Sequence, residues 1–179
     1  MPSLHETKRK FSRVVLAGTF DQLHKGHKTL IAKALEIGDH VLLGLTTNNM
    51  AKRLKKHQVE LFDERKKALE NFLRKIHALE RTKIVPIDDP YGPTLTMDDI
   101  QAIVVSKETA PRAKEINILR RERGLKALEI VVIDMVLAED MKPIYSTRIH
   151  MGEINENGRL LRSRTESSSN VQHQENNTD

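Results

Sequence analysis

The strongest constraint on this chain is the alternation of short aliphatic runs with helical stretches. Val14-Val15-Leu16-Ala17, Val41-Leu42-Leu43-Gly44-Leu45, Ile84-Val85-Pro86-Ile87, Ala102-Ile103-Val104-Val105 and Ile130-Val131-Val132-Ile133 are all short and almost wholly apolar. Runs of this kind, with no polar residue at alternate positions, read as strands buried on both faces. Between them, Leu30, Ile31, Ala34, Leu35 and Ile37 recur at helical spacing over about 25–37, and Gly38 stands where the helix should end. Ala68, Leu69, Phe72, Leu73 and Ile76 do the same over about 63–77. A strongly charged helix is expected over about 111–123, with Ile116 and Leu119 inward and Gly124 as its stop. Pro86 assigns its strand to an edge, or itself to a strand end. Strands alternating with helices build parallel βαβ units, so the expected fold is a three-layer α/β domain on a five-stranded parallel sheet. Ligands of such sheets lie beyond the carboxyl ends of the strands, which is where chemistry is sought.

The 179 residues suit one domain, long enough to bury a core without disulfide or metal support. We expect a polar N-terminal extension over 1–12, one domain over 13–162 and a disordered polar tail over 163–179, where Val171 is the one aliphatic residue. Cys is absent, which excludes a disulfide framework, thiolate metal sites and a Cys nucleophile. No apolar run approaches the ~20 residues of a membrane span, and the polar start lacks a signal-peptide core, so a cytoplasmic protein with no membrane contact is expected. Aromatic residues are only 3% of the chain, too few for a base-stacking platform. The formal net charge of +5 is unevenly spread: residues 1–90 carry 18 Lys/Arg against 11 Asp/Glu, and residues 91–179 carry 12 against 14. The basic half should therefore meet an anion.

Gly18-Thr19-Phe20-Asp21-Gln22-Leu23-His24-Lys25-Gly26-His27 follows the first strand. Gly18 permits a sharp turn and close backbone approach. A helix beginning near His24 directs its free N–H groups and dipole at the ligand edge, a ready anion site. His24 and His27, three residues apart, share one face of the first turn, and Gly26 leaves room for a phosphate. A single His is more often a packing residue, but two His and two Gly directly after a strand form a less accidental arrangement. Zinc pairs on helices are normally spaced i, i+4 and no third ligand stands near. Gly26-His27-Lys28-Thr29 echoes the end of a P-loop, yet Asp21 stands where its first Gly belongs, and no G-x-G-x-x-G occurs.

Late in the chain, Tyr145-Ser146-Thr147-Arg148-Ile149 precedes Gly152-Glu153. Ser146 reads as an N-cap, and hydroxyls with a guanidinium at a helix start make a second phosphate cradle. By itself a capped surface helix explains the segment equally well. Its weight comes from the first motif.

With these two elements, H-x-G-H after a first strand and S-T-R late in the chain, the sequence resembles the nucleotidyltransferase superfamily. Asp88-Asp89-Pro90-Tyr91-Gly92-Pro93, Val104-Val105-Ser106-Lys107-Glu108-Thr109 and Ile116-Asn117 make it most similar to the phosphopantetheine adenylyltransferases of the archaeal type, over about residues 13–161. The resemblance implies a Rossmann-like nucleotidyltransferase fold and reversible transfer of AMP from ATP to 4′-phosphopantetheine, giving dephospho-coenzyme A and pyrophosphate. It assigns Thr19 to the phosphate of phosphopantetheine, His24 and His27 to the ATP phosphates, and Arg148 with Ser146 and Thr147 to the β- and γ-phosphates. Gly18, Phe20, Gly26 and Ser106 would complete the ATP site. A basic residue after the second strand should neutralise the attacking phosphate: Lys52, Arg53, Lys55 and Lys56 qualify, with Lys52 preferred, and a solvated charge run is the competing explanation. Arg65, after Glu64, is a further candidate for the substrate phosphate, or for carboxylates on its own helix. Mg2+ is expected on the phosphates rather than in a protein cage. A monomer is favoured, with an oligomer as the alternative.

Two rivals stay open. One is another adenylyl- or cytidylyltransferase of the superfamily. The other is a basic nucleic-acid-binding domain, suggested by Arg120-Arg121-Glu122-Arg123, although interleaved Glu115, Glu122 and Glu129 read as an ordinary solvated helix.

Overall fold

The computed structural model of the chain describes residues 8–54 and 58–161. Strands β1 (Phe11–Gly18), β2 (Gly38–Thr46), β3 (Thr82–Ile87), β4 (Ala102–Ser106) and β5 (Glu129–Ile133) form one sheet in the order β3-β2-β1-β4-β5. Every neighbouring pair is parallel. The helices are α1 (Lys25–Ile37), α2 (Asn48–Leu54), α3 (Phe62–Lys75), α4 (Ala110–Glu122) and α5 (Ser146–His150). The chain leaves β1 towards β2 and β3, then returns to β1's other side for β4 and β5. The reversal opens a crevice beyond the carboxyl ends of β1 and β4.

Period-two alternation along each strand divides the core. Val14, Leu16, Leu43 and Val104 face one way and are buried with Ile31 and Ala34 of α1 and Leu69 and Leu73 of α3. Val15, Leu42, Ile103 and Val105 face the other way, with Ala113 and Ile116 of α4. The three-layer α/β fold on five parallel strands is thus the architecture of the chain. Gly38 ends α1 and begins β2 at once, with an extended φ of −114°. It is a glycine for want of space: a methyl there would lie 2.6 Å from Val14 Cγ2. β3 is an edge strand, where Pro86 is tolerated.

Several expectations need correction. Ile76 is 40% exposed, and the inner face of α3 instead carries Arg65. The inner face of α4 carries Ala113, Ile116 and Arg120, the last with no exposed surface. Arg120 is therefore not part of a solvated cationic cluster. Its Nε donates to the carbonyl of Lys126 at 2.7 Å, and its Nη1 to those of Met97, at 2.9 Å, and Thr94. Burial pushes the guanidinium pKa down, against the charge of Asp98. Asn117 bridges the carbonyl and N–H of Leu128 at 2.9 and 2.7 Å, fastening α4 to the approach to β5. The basic connection after β2 is partly helical. Lys52 and Arg53 belong to α2, which starts where Thr47 Oγ1 accepts the N–H of Met50 at 3.2 Å. Lys55, Lys56 and the 163–179 tail lie outside the described residues. No helix among the described residues is long and apolar enough to cross a membrane.

Candidate active site

A cleft of ≈ 510 Å³ opens at the carboxyl ends of β1 and β4. Its floor is the loop joining β1 to α1. The sharp turns in that loop fall on Phe20 and Gln22, with φ of 51° and 50°, and not on Gly18. A left-handed backbone at two non-glycine residues is strain that the surroundings must hold in place. Gly18 contributes space instead, since a methyl there would meet the Phe20 ring at 3.2 Å. Phe20 is 1% exposed, and its ring lies 5.2 Å from that of His27. Its side chain therefore buttresses His27.

The imidazoles of His24 and His27 stack, with centroids 3.6 Å apart and planes 19° from parallel. The N–H of His24 donates to Nδ1 of His27 at 3.4 Å. With Nδ1 accepting, a neutral His27 carries its proton on Nε2. Gly26 packs closely under the stack: a methyl there would lie 3.1 Å from Cε1 and Nδ1 of His24. Gly26 itself lines the cleft. The N–H of Lys25 is taken by the carbonyl of Glu156 at 2.8 Å, so the first turn of α1 offers fewer donors than expected.

Arg65 lies beneath this floor with no exposed surface. Its Nε donates to the carbonyl of Glu60 at 2.8 Å, and its Nη1 to the carbonyl of Thr19 at 2.8 Å and to Thr46 Oγ1 at 3.3 Å. Burial lowers its pKa, opposed by the charges of Asp21 and Glu60. Its observed partners are backbone carbonyls and a hydroxyl rather than carboxylates on its helix, and it fixes the backbone at Thr19. Asp21, 1% exposed, accepts the N–H of Glu60 at 3.0 Å and meets Nε2 of His150 at 2.7 Å.

Tyr145, not Ser146, is the cap residue of α5, and Ser146 is its first helical residue. Ser146 is 7% exposed and lines the cleft; Thr147 and Arg148 do not line it. The Arg148 guanidinium is held by Asp140 through Nη2 at 2.6 Å, by Glu153 through Nε at 2.9 Å and by the carbonyl of Pro143 at 3.1 Å. The hydrogen bond to Glu153, then that to Asp140, raises its pKa. Arg148, expected at the β- and γ-phosphates, here clamps α5 to the turn before it. Burial is the largest influence on Asp140 and opposes ionisation, but hydrogen bonds from Arg148 and the Lys142 N–H, with both charges, hold the carboxyl below its ordinary value.

Ser106 and Thr109 join hydroxyl to hydroxyl at 3.2 Å, a capping turn that also lines the cleft. The Tyr145 hydroxyl donates to Glu108 at 2.6 Å, linking this turn to α5, and that bond raises the tyrosine pKa. Across the cleft, Tyr91 donates to Glu115 at 2.8 Å beneath the guanidinium of Arg112. Lys52 and Arg53, expected at the substrate phosphate, are absent from the cleft lining. Lys52 is exposed, and Arg53 donates to the carbonyl of Asp88 at 2.6 Å. Among the described residues, no group of three or more His, Asp or Glu could hold a metal.

The structure therefore gathers Gly18, Thr19, His24, Gly26 and His27 with Ser106 and Ser146 around one cleft. Sequence reasoning missed the tie between Asp21 and His150 and the Asp140 clamp. Asp21 sits inside the recognised motif, but its partner is 129 positions away and no local pattern marks it.

Residues 15–152 match the family model described as cytidylyltransferase-like. The chain is 48% identical over 147 residues to the phosphopantetheine adenylyltransferase of Methanopyrus kandleri, spanning 82% of this chain and 93% of that protein. It is 45% identical over 155 residues to the phosphopantetheine adenylyltransferase of Methanothermobacter thermautotrophicus, spanning 87% and 93%. A crystal structure of a protein of unknown function from Archaeoglobus fulgidus superposes with a TM-score of 0.64 at 36% identity, covering 68% of this chain and 89% of that one.

Proposed function

The chain belongs to the cytidylyltransferase-like family, and within it to the archaeal phosphopantetheine adenylyltransferases; from that premise we infer how its cleft works. The reaction transfers AMP from ATP to 4′-phosphopantetheine, giving dephospho-coenzyme A and pyrophosphate, a late step in making coenzyme A. An oxygen of the phosphopantetheine phosphate bonds to the α-phosphorus of ATP as the bond to the bridging oxygen of pyrophosphate breaks. The attacking phosphate is already ionised at neutral pH, so no protein nucleophile or strong base is required. Catalysis reduces to holding two polyanions in line and stabilising the charge of the transition state.

The observation that carries this reading is the stacked pair of His24 and His27 at the start of α1, facing the same cleft as Thr19 and Ser146. In our assignment His27 donates from Nε2 to the ATP phosphates, His24 supports and shares that task, and Thr19 meets the incoming phosphate. Ser106 and Ser146 border the nucleotide. Arg65, Phe20 and Arg148 position the groups that touch substrate. The donor set fits a metal that arrives on the nucleotide: Mg2+ bound by the phosphates would neutralise charge on the departing pyrophosphate. Under this reading the enzyme works as a monomer in the cytoplasm.

The decisive assay is pyrophosphate release from ATP with and without 4′-phosphopantetheine. Release that depends on phosphopantetheine is expected. Release dependent instead on nicotinamide mononucleotide, or on glycerol 3-phosphate with CTP, would move the chain to another branch of the superfamily.

A further inference from the structure

We propose that His150 is a positioning residue that sets the separation between the His24–His27 pair and Ser146 by holding Asp21. His150 Nε2 and Asp21 Oδ2 are 2.7 Å apart, joining groups 129 residues apart in sequence. The Asp21 carboxylate is 1% exposed, while the His150 side chain keeps 29% of its surface. The bond therefore reaches from the protein surface into the floor of the cleft.

Asp21 lies between Phe20 and Gln22, the two residues with left-handed backbone. Such a loop persists only where neighbours over-determine it. Glu60 and His150 both do so. The N–H of Glu60 donates to Asp21 Oδ1 at 3.0 Å. The Glu60 carboxylate accepts the N–H of Gln22 at 2.9 Å and its side-chain amide at 3.2 Å. His150 supplies a further hold, from α5.

His150 and Ser146 are one helical turn apart, so they lie on the same side of α5. Ser146 lines the cleft and His150 grips the loop that carries the histidine pair. A backbone bond from Lys25 N–H to the Glu156 carbonyl at 2.8 Å ties the same two regions further along. Without the side-chain tie, α5 can shift against the loop, and the histidine pair and Ser146 lose their common spacing. A misplacement of about 1 Å from a group remote from the chemistry can lower turnover about a hundredfold.

This inference rests on the adenylyl-transfer reading, because the readout is nucleotide binding across both elements. The experiment compares wild type, His150→Leu, His150→Ala and His150→Gln. Leu keeps bulk without a donor, Ala adds no apolar surface at the partly exposed site, and Gln restores a donor at similar reach. Steady-state pyrophosphate release is measured against each substrate, together with direct titration of α,β-methylene-ATP. In the Leu and Ala variants kcat should fall about 10–100-fold and KM for ATP should rise about tenfold. KM for phosphopantetheine should change less, and Gln should recover most of the loss. Unchanged KM for ATP and unchanged analogue affinity in folded Leu or Ala protein would overturn the proposal. So would a kcat loss matching only the unfolded fraction. If wild type shows no phosphopantetheine-dependent release, the functional reading fails instead, and the analogue titration still reports on the tie.

Discussion

Arg65 Nη1 donates to the carbonyl oxygen of Thr19 at 2.8 Å, from a side chain with no exposed surface. The same guanidinium holds the carbonyl of Glu60 through Nε at 2.8 Å. Two backbone segments that meet at the cleft are thereby fixed by one planar fork. Lys cannot replace it, since an ammonium has neither the reach in two directions nor the fixed geometry. Arg65→Met leaves buried carbonyls unsatisfied and is expected to lower stability by about 2–4 kcal/mol. That corresponds to a fall in Tm of about 5–15 °C by calorimetry. Arg65→Lys should retain part of the stability but lose turnover, because the Thr19 backbone is no longer pinned.

His24→Ala and His27→Ala each remove a candidate phosphate donor. Turnover should fall about 10²–10³-fold in each, with far-ultraviolet circular dichroism unchanged. Near-wild-type turnover in His27→Ala would remove it from the phosphate site.

Gly26→Ala tests the stack itself. The added methyl would lie 3.1 Å from two atoms of the His24 ring. That ring is backed by His27 at 3.6 Å between centroids and has little room to yield. Weaker ATP binding and lower kcat are expected with a small change in Tm. An unaltered KM for ATP would show that the ring position is not critical.

Asp140 gives a pH dependence of known sign. Its carboxyl is held below the ordinary value chiefly by the Arg148 hydrogen bond, which overcomes burial together with lesser contributions. A depressed folded-state pKa contributes stability above the unfolded value of roughly 3.9 and loses it as pH falls through the folded one. Asp140→Asn should therefore be less stable than wild type at neutral pH. The gap in Tm should close as the pH is lowered below about 4. A gap that stays constant from pH 7 into acid would mean that the ion pair is not its source.

Removing divalent metal should abolish turnover, because the phosphates would meet without charge neutralisation. Added Mg2+ should restore it. The chelated protein should keep its Tm, since under the proposed function the metal travels with the nucleotide.

Much of the architecture is legible in the order of residues. Short aliphatic runs that alternate with 3.6-period stretches admit few arrangements other than a parallel sheet covered on both faces. The H-x-G-H element was readable for the same reason: its parts are near neighbours in sequence, after a recognisable strand. Charge identity was the poorer guide. Arg65 and Arg120 are both cations at the inward positions of their helices, and both are buried with backbone carbonyls as partners. The helical period places them inside, but nothing local announces which carbonyls await them.

The order of residues was enough to give the layered α/β fold and the motif loop at the sheet's carboxyl edge. These depend on periodicity and composition, which are local properties of the chain. Folding alone brings Arg148 to Asp140 and Glu153, leaves Lys52 outside the cleft and lets His150 grip Asp21. A side chain's role follows from the partners that folding brings to it. For Asp21 and His150 that partner lies most of the chain length away, and only closing the sheet and seating α5 bring the two within hydrogen-bonding distance.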